Sequence, residues 1–531
     1  MDAVATPTPA VPNVPVTQQP VGTNPFTARY WVGQMDLRGI ALFRIGLGLF
    51  LIFDLLDFAP DLRAWFSNEG VLPLSPFLGQ WARSTRFVLM DAFSTPLLVW
   101  VYWAIALAVS IAVVLGYRTR LASVLAFVLF AGFQERLPPL FDGSDTVLRL
   151  MLFWHMLTAS GNVWSLDALR AEKAGRPLSR TGMALPVRMT GVQIGWIYFC
   201  SVFWKMGGWK WHDGTAVHYG LHLSHVFARP WAAALADVLP VVQFITYFTL
   251  VLEASFLFLT HFPYKPRLFK AIALLAGVAL HGGIFLTINV GHFSFLMPLC
   301  YVAMFEGDWA QWVVDHASRL LKLDSWRARF EAWASTIPAP RETRPGWPRA
   351  RAWGWTAAGV WYVLVCWYSM PKTVVPAQPH AVETAIQYAS MWSSWDMFAP
   401  NPLSTDYHLS APAVFEDGST TDLLGEGGDQ RGFFFTRWWK YMENVTGGGE
   451  LLPLEWGRYM CREHNQNLKP GQPRLYTFTL YKDNIDIPKI GEPWPAVQRQ
   501  SVWNHRCFDL PGNKPGPSLP VAMNQAPKRL P

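Results

Sequence analysis

Apolar residues run almost unbroken through nine stretches of the chain, at 37–57, 94–116, 119–135, 147–163, 187–206, 235–260, 268–288, 292–306 and 353–371. Wound as helices, runs of about 20 residues match the hydrocarbon thickness of a bilayer. The pattern predicts a polytopic α-helical membrane protein with about nine transmembrane helices. The third and eighth runs are short, and Arg136–Phe141 (RLPPLF) is expected to form a bent or re-entrant end. Before the first run, residues 1–35 are rich in Pro, Val and Thr, with no signal-peptide pattern. That tail is expected to be disordered, and insertion to begin with the first helix.

The period changes after the last run. Residues 376–531 hold no further spanning run and carry turn signals at short intervals. YHLSAPAVFEDGSTTDLL alternates around Glu416-Asp417-Gly418 as a hairpin does, and RLYTFTLYKDN reads as another strand. FTRWWKYMENV and PLEWGRYMCREHN have helical spacing between them. A small α+β domain outside the membrane is predicted. Between the eighth and ninth runs, in the 307–352 segment, Asp308–Ile337 sets Trp309, Trp312, Val313, Leu320, Trp326, Phe330 and Trp333 largely on one side of a helix with basic residues between. Such a helix lies in the cytoplasmic interface or is buried by its apolar face.

Charge orients the helices. With the N-terminus inside, the inner segments hold 20 Lys and Arg and the outer ones eight, a bias that favours an inside N-terminus and an outside C-terminal domain. The formal net charge of +7 is thereby explained as topology, and a nucleic-acid partner is not needed. The composition, 51% hydrophobic and 15% charged with 28 Trp, agrees with a lipid environment. Five cysteines rule out a disulfide scaffold. Cys461 and Cys507, both in the outer domain, are expected to pair in an oxidising compartment, and Cys200, Cys300 and Cys366 to be packing residues.

Polar groups inside apolar runs mark candidate chemistry. Lys205 ends the fifth run among Phe203, Trp204 and Met206. Its ammonium either snorkels to the headgroups or is kept dry, where it becomes a usable base or an ion-paired structural lysine. His281 stands in an apolar run beside Gly282 and Gly283, and His292 opens the eighth run. Asp145 and Arg149 open the fourth. By depth these groups converge in the outer leaflet. Glu253, deeper in the sixth run, is expected to pair with Arg44 of the first. His218, His222 and His225 share a helical face at metal-ligand spacing, but no carboxylate at matching spacing completes the set, so no metal is assigned. No phosphate loop, dinucleotide fingerprint or nucleophile elbow is present.

Five stretches, in order, resemble the HTTM family, the membrane domain shared by vitamin K-dependent γ-glutamyl carboxylase and its bacterial relatives. They are ALFRIGLGLFLIFDLL with LRAWFSNEGVLPLSP; the Trp164-Ser165-Leu166-Asp167 stretch; Lys205 followed by Trp211, His212, Asp213, Gly214 and Tyr219; His281 with Gly291, Phe293 and Ser294; and Trp395-Asp396-Met397-Phe398-Ala399-Pro400-Asn401-Pro402. They cover roughly residues 36–305 and the start of the outer domain. The resemblance implies a multi-pass protein of the bacterial inner membrane with a cytoplasmic N-terminus and a periplasmic C-terminal domain. It also implies a reduced, vitamin K-like quinone as cofactor, with O2 and CO2 as co-reactants. Lys205 would be the catalytic base and His281 its assistant, with His292, Asp145 and Trp211 around the cofactor. Two positions depart from the carboxylase: Met206 follows Lys205 where the carboxylase has adjacent lysines, and Ser144 or Asp145 stands where it has a histidine. Both bear on carboxylation itself. The expected organisation is a 1–35 tail, a 36–306 membrane domain, a 307–352 interfacial segment, a last span at 353–371 and an outer domain at 376–531. Two functions follow: a quinol- and O2-dependent carboxylase or oxidase, or a non-catalytic membrane module presenting a periplasmic domain to a partner protein.

Overall fold

The computed structural model describes residues 19–81, 86, 88–322, 329, 332–333, 337, 348–425, 436–466, 468–510 and 517–528. The first 18 residues of the expected tail, and Trp326 and Phe330 of the interfacial segment, lie outside the described residues; the rest of that tail is not disordered, since Ala28–Val32 is helical with Tyr30 buried and Gln34–Asp36 pairs with Thr181–Met183.

A helix occupies each of the nine apolar stretches. In chain order these are α1 Arg38–Phe58, α2 Pro96–Leu115, α3 Thr119–Arg136, α4 Gly143–Met156 and α5 Ala184–Lys205. The short α6 Ala216–His222 and α7 Ala233–Ala236 follow, then α8 Leu239–Thr260, α9 Pro266–Thr287, α10 Phe293–Tyr301, α11 Gly307–Leu320 and α12 Pro348–Ser369. Among the described residues, four helical stretches are long and apolar enough to cross a membrane: Arg38–Phe66, Pro96–Leu115, Leu239–Thr260 and Pro266–Thr287. The first is the most enclosed, with 56% of its apolar window buried against 28% for each of the others. α5 has the length of a span but carries Thr190, Gln193, Ser201 and Lys205, all buried, because it runs through the middle of the bundle with its polar groups facing other helices. α10 is short because Pro298 interrupts it and a tighter turn continues to Met304. The RLPPLF stretch bends as expected: α3 stops at Arg136 and Pro138–Leu140 makes a single tight turn.

Beyond α12, α13 His380–Tyr388 leads into β1 Thr405–Ser410, β2 Pro412–Phe415 and β3 Thr420–Asp422. After α14 Thr436–Thr446 and α15 Leu451–Gln466 come β4 Leu475–Asp486 and β5 Gln498–Arg506. All pairings are antiparallel. β4 is central, with β1 beside its second half, β2 beside its first half and β5 along the opposite edge. The expected hairpin is the β2–β3 pair, with Gly418 at φ +86° at its tip, a backbone angle that favours glycine. β5 and α13 were not expected from the sequence. Cys461 on α15 is bonded to Cys507 just past β5, and the other three cysteines are free and buried.

One large apolar core runs through both parts, from Leu51 and Phe133 in the bundle to Tyr441, Trp456 and Phe478 in the sheet domain. The two are packed as one body. Trp65 lies against Trp438 with ring centroids 3.9 Å apart. α11 stops at Leu320, leaves Trp312 and Leu320 exposed and holds Trp309 against Phe305.

Candidate functional site

Lys205 is the last residue of α5, yet its side chain is only 4% exposed. The chain beyond it does not leave the protein: it turns at Gly207-Gly208 and continues through Lys210, Trp211, His218, Tyr219 and His222, all buried. The ammonium is therefore kept dry. It is also ion-paired, with Nζ 2.5 Å and 2.6 Å from the two oxygens of Glu253 on α8. Glu253 is the fifteenth residue of α8, roughly 20 Å along that helix from Leu239, so Lys205 lies deep in the bundle. The Trp211 ring closes over Nζ at 4.9 Å, and Trp211 is fixed by donating to the Phe398 carbonyl.

The expected pairing of Glu253 with Arg44 is corrected. Arg44 is fully buried and donates to the carbonyls of Ser160, Val163 and Trp164, the open end of a helical turn. α8 packs along α5, which turns Glu253 toward Lys205 and away from α1. Leu257 backbone comes within 2.9 Å of where a Cβ on Gly195 would stand, so glycine permits this approach.

His281 is buried as well. Its Nε2 is 2.6 Å from the Tyr198 hydroxyl, which in turn is hydrogen-bonded to Tyr301. Gly277 makes room, since a Cβ there would stand 2.6 Å from the Tyr301 hydroxyl. Nδ1 of His281 is buried without a hydrogen-bond partner among the described residues. The Lys205–Glu253 pair and the Tyr198–Tyr301–His281 group, drawn from four different helices, are both dry and close enough to interact electrostatically. Only Lys205 and His281 of these were expected at a site. Glu253 was visible as an intramembrane carboxylate; the two tyrosines look like packing residues in an apolar run.

His292 and Asp145 stand apart from this cluster, with Phe293 between: its ring is 5.4 Å from His281. His292 Nδ1 is 3.2 Å from Asp54, and Asp57 lies 3.7 Å from Nε2. Into this group reaches Arg437 of α14. Its guanidinium contacts Asp54 at 2.5 Å and Asp145 at 2.9 Å, and lies over the rings of Phe58 and Phe141. Asp145 also caps α4 by accepting from the Asp142 amide. Arg149 donates to Gln134 and to the Trp392 carbonyl. Convergence by depth is thus resolved into two separate groups, and the second is closed by the sheet domain.

Two of the stretches singled out in the sequence meet directly. The Phe398–Pro402 segment lies on the turn after α5, where the Lys210 amide donates to Asn401 and its ammonium to the Pro402 carbonyl and Ser404. Burial pushes the Lys210 ammonium down to about 8. The expected helical face of three histidines is corrected: α6 ends at His222, so His225 falls in the following turn and pairs with Asp406 of β1, while His218 and His222 face Asp237.

No family model, no curated protein and no solved structure matches this chain. The chain is mostly helical, with several helices able to span a membrane and a disulfide-bearing sheet domain.

Proposed function

We propose that this chain is an inner-membrane protein of the HTTM, carboxylase-like type, with nine spans, a cytoplasmic N-terminus and a periplasmic sheet domain, acting on a reduced quinone. The nine helices at the nine apolar stretches and the bias of Lys and Arg support the topology. The observation that carries the chemistry is the dry Lys205–Glu253 pair beside His281.

In water-free surroundings the charged pair and its neutral form differ by one proton moved across 2.5 Å. Passage of that proton from Nζ to the Glu253 carboxylate leaves a neutral amine, which is a base. The Tyr198 hydroxyl holds His281 through Nε2 and leaves Nδ1 to a ligand hydroxyl. His281 Nδ1 and Trp211 are the groups that would hold a quinol near Lys205. When bound, the quinol supplies the acidic hydroxyl and the electrons that O2 takes up. Lys205 accepts the proton, Glu253 holds the amine in place, and the buried surroundings exclude water.

The deciding experiment is a quinol-dependence assay in nanodiscs: reduced naphthoquinone under O2, with epoxide followed by chromatography. Lys205→Arg keeps a cation against Glu253 but supplies no base. Epoxide made by the wild type and lost in that folded variant is the expected result. Wild-type rates in Lys205→Arg, or no epoxide from folded, quinone-loaded protein, would overturn the reading. The second case favours the module that presents its outer domain to a partner, a reading motivated by Arg437 filling the cluster of His292 and Asp145. Capture of a stoichiometric partner on the full chain would then support it.

A further inference from the structure

The α6 helix carries His218 and His222 one turn apart, so both imidazoles leave the same side. α7, from a separate turn of chain, ends beside them at Asp237. One carboxylate oxygen of Asp237 lies 3.4 Å from His218 Nδ1 and 3.0 Å from His222 Nε2. Ligand atoms that each stand about 2.0–2.1 Å from a zinc ion are roughly 3.3 Å apart in a tetrahedral shell. Both oxygen–nitrogen edges are close to that spacing, and the three ligand atoms all lie within 4.8 Å of one another.

The other nitrogen of His218 sharpens the point. Nε2 is 2.9 Å from the Pro488 carbonyl, which only accepts, so Nε2 carries the hydrogen. In the neutral ring Nδ1 then presents a lone pair, and that lone pair faces two oxygens, Asp237 Oδ1 and the Ala236 carbonyl at 2.9 Å. Such a contact is repulsive unless a cation stands there, either a second proton or a metal. A ligand histidine whose other N–H is held by a backbone carbonyl is the usual way a metal site fixes its tautomer.

We propose that His218, His222 and Asp237 bind a divalent transition metal, with zinc the best match to two imidazoles and one carboxylate. The Asp237 side chain is 61% exposed, which opens the site to the ion from bulk solvent, and water completes the shell. The Pro488 carbonyl and the Trp494 ring, 5.3 Å from His222, come from the loop between β4 and β5. An ion here fastens the α6–α7 turn to the sheet domain through the ring of His218. This site is independent of the quinol chemistry.

The test uses full-length protein in nanodiscs, stripped with a chelator and titrated with Co2+ for its visible ligand-field bands and with Zn2+ by calorimetry. One equivalent is expected, with affinity reduced at least about tenfold in Asp237→Asn and in His222→Gln. Asp237→Asn alters an exposed side chain, so folding is not at stake in that variant. Absence of stoichiometric binding by the wild type, or undiminished binding by Asp237→Asn, would overturn the proposal.

Discussion

At the scale of single residues, the Lys205–Glu253 pair sets the energetics of the bundle interior. Each group alone would leave a charge in apolar surroundings, which costs several kcal/mol, whereas removal of both leaves none. Lys205→Met is therefore expected to destabilise the protein by about 3–5 kcal/mol, and Lys205→Met with Glu253→Leu to recover much of that loss. Denaturant unfolding of the two singles and the double in one detergent measures the coupling; strictly additive losses would argue against the pairing. Gly277 gives a second expectation. Gly277→Ala drives a methyl into the Tyr301 hydroxyl and should cost about 1–3 kcal/mol. Gly283→Ala, which meets nothing within 4 Å, serves as the comparison, and equal losses in both would show that the tyrosine contact is not the cause. Lys205 was legible in the sequence because a lone cation among aromatics is costly wherever it goes. Its partner was not, because a sequence gives position along a helix but not which neighbour a helix face meets; α8 turns Glu253 to α5 instead of α1.

At the scale of elements, apolar run length located the helices of the bundle, and alternation located the hairpin and β4, because both periods are properties of short stretches. β5 escaped since Gln498–Arg506 is largely exposed and polar, so no alternation marks it. The depth ruler failed for α5 for a related reason: the end of the helix is not the edge of the protein when the following turn is itself buried. That turn carries a pH-dependent term. Lys210 is charged below about pH 8 in the folded protein, against 10.5 in the unfolded chain. Between those values the unfolded chain binds a proton that the folded one has released, so stability rises with pH through that window and is flat with respect to this group below it. Lys210→Met should abolish the rise. Unfolding midpoints on either side of the window, for wild type and variant, check this; the same slope in both would remove Lys210 as its source. Gly208 is the other determinant of this seam, since a Cβ there would overlap the Pro400 carbonyl oxygen at 1.6 Å.

At the scale of the molecule, the question is whether bundle and sheet domain are one cooperative unit. Arg437 answers it physically. Its guanidinium is supplied by the sheet domain, yet its counter-ions Asp54, Asp57 and Asp145 all belong to the bundle, and the apolar core is continuous across the seam. Separating the parts would strand one buried cation on one side and three carboxylates on the other. Breaking such a buried group by removing one member costs about 3–5 kcal/mol. The protein in nanodiscs should therefore unfold in one calorimetric transition, and Arg437→Met should lower its midpoint and split it, with the sheet domain, held by Cys461–Cys507, melting apart from the bundle. Reduction of the disulfide should then shift only the sheet-domain transition of the variant. Two transitions already present in the wild type, with neither moved by Arg437→Met, would mean that the seam carries no cooperativity and that the outer domain is free to leave the clusters beneath it.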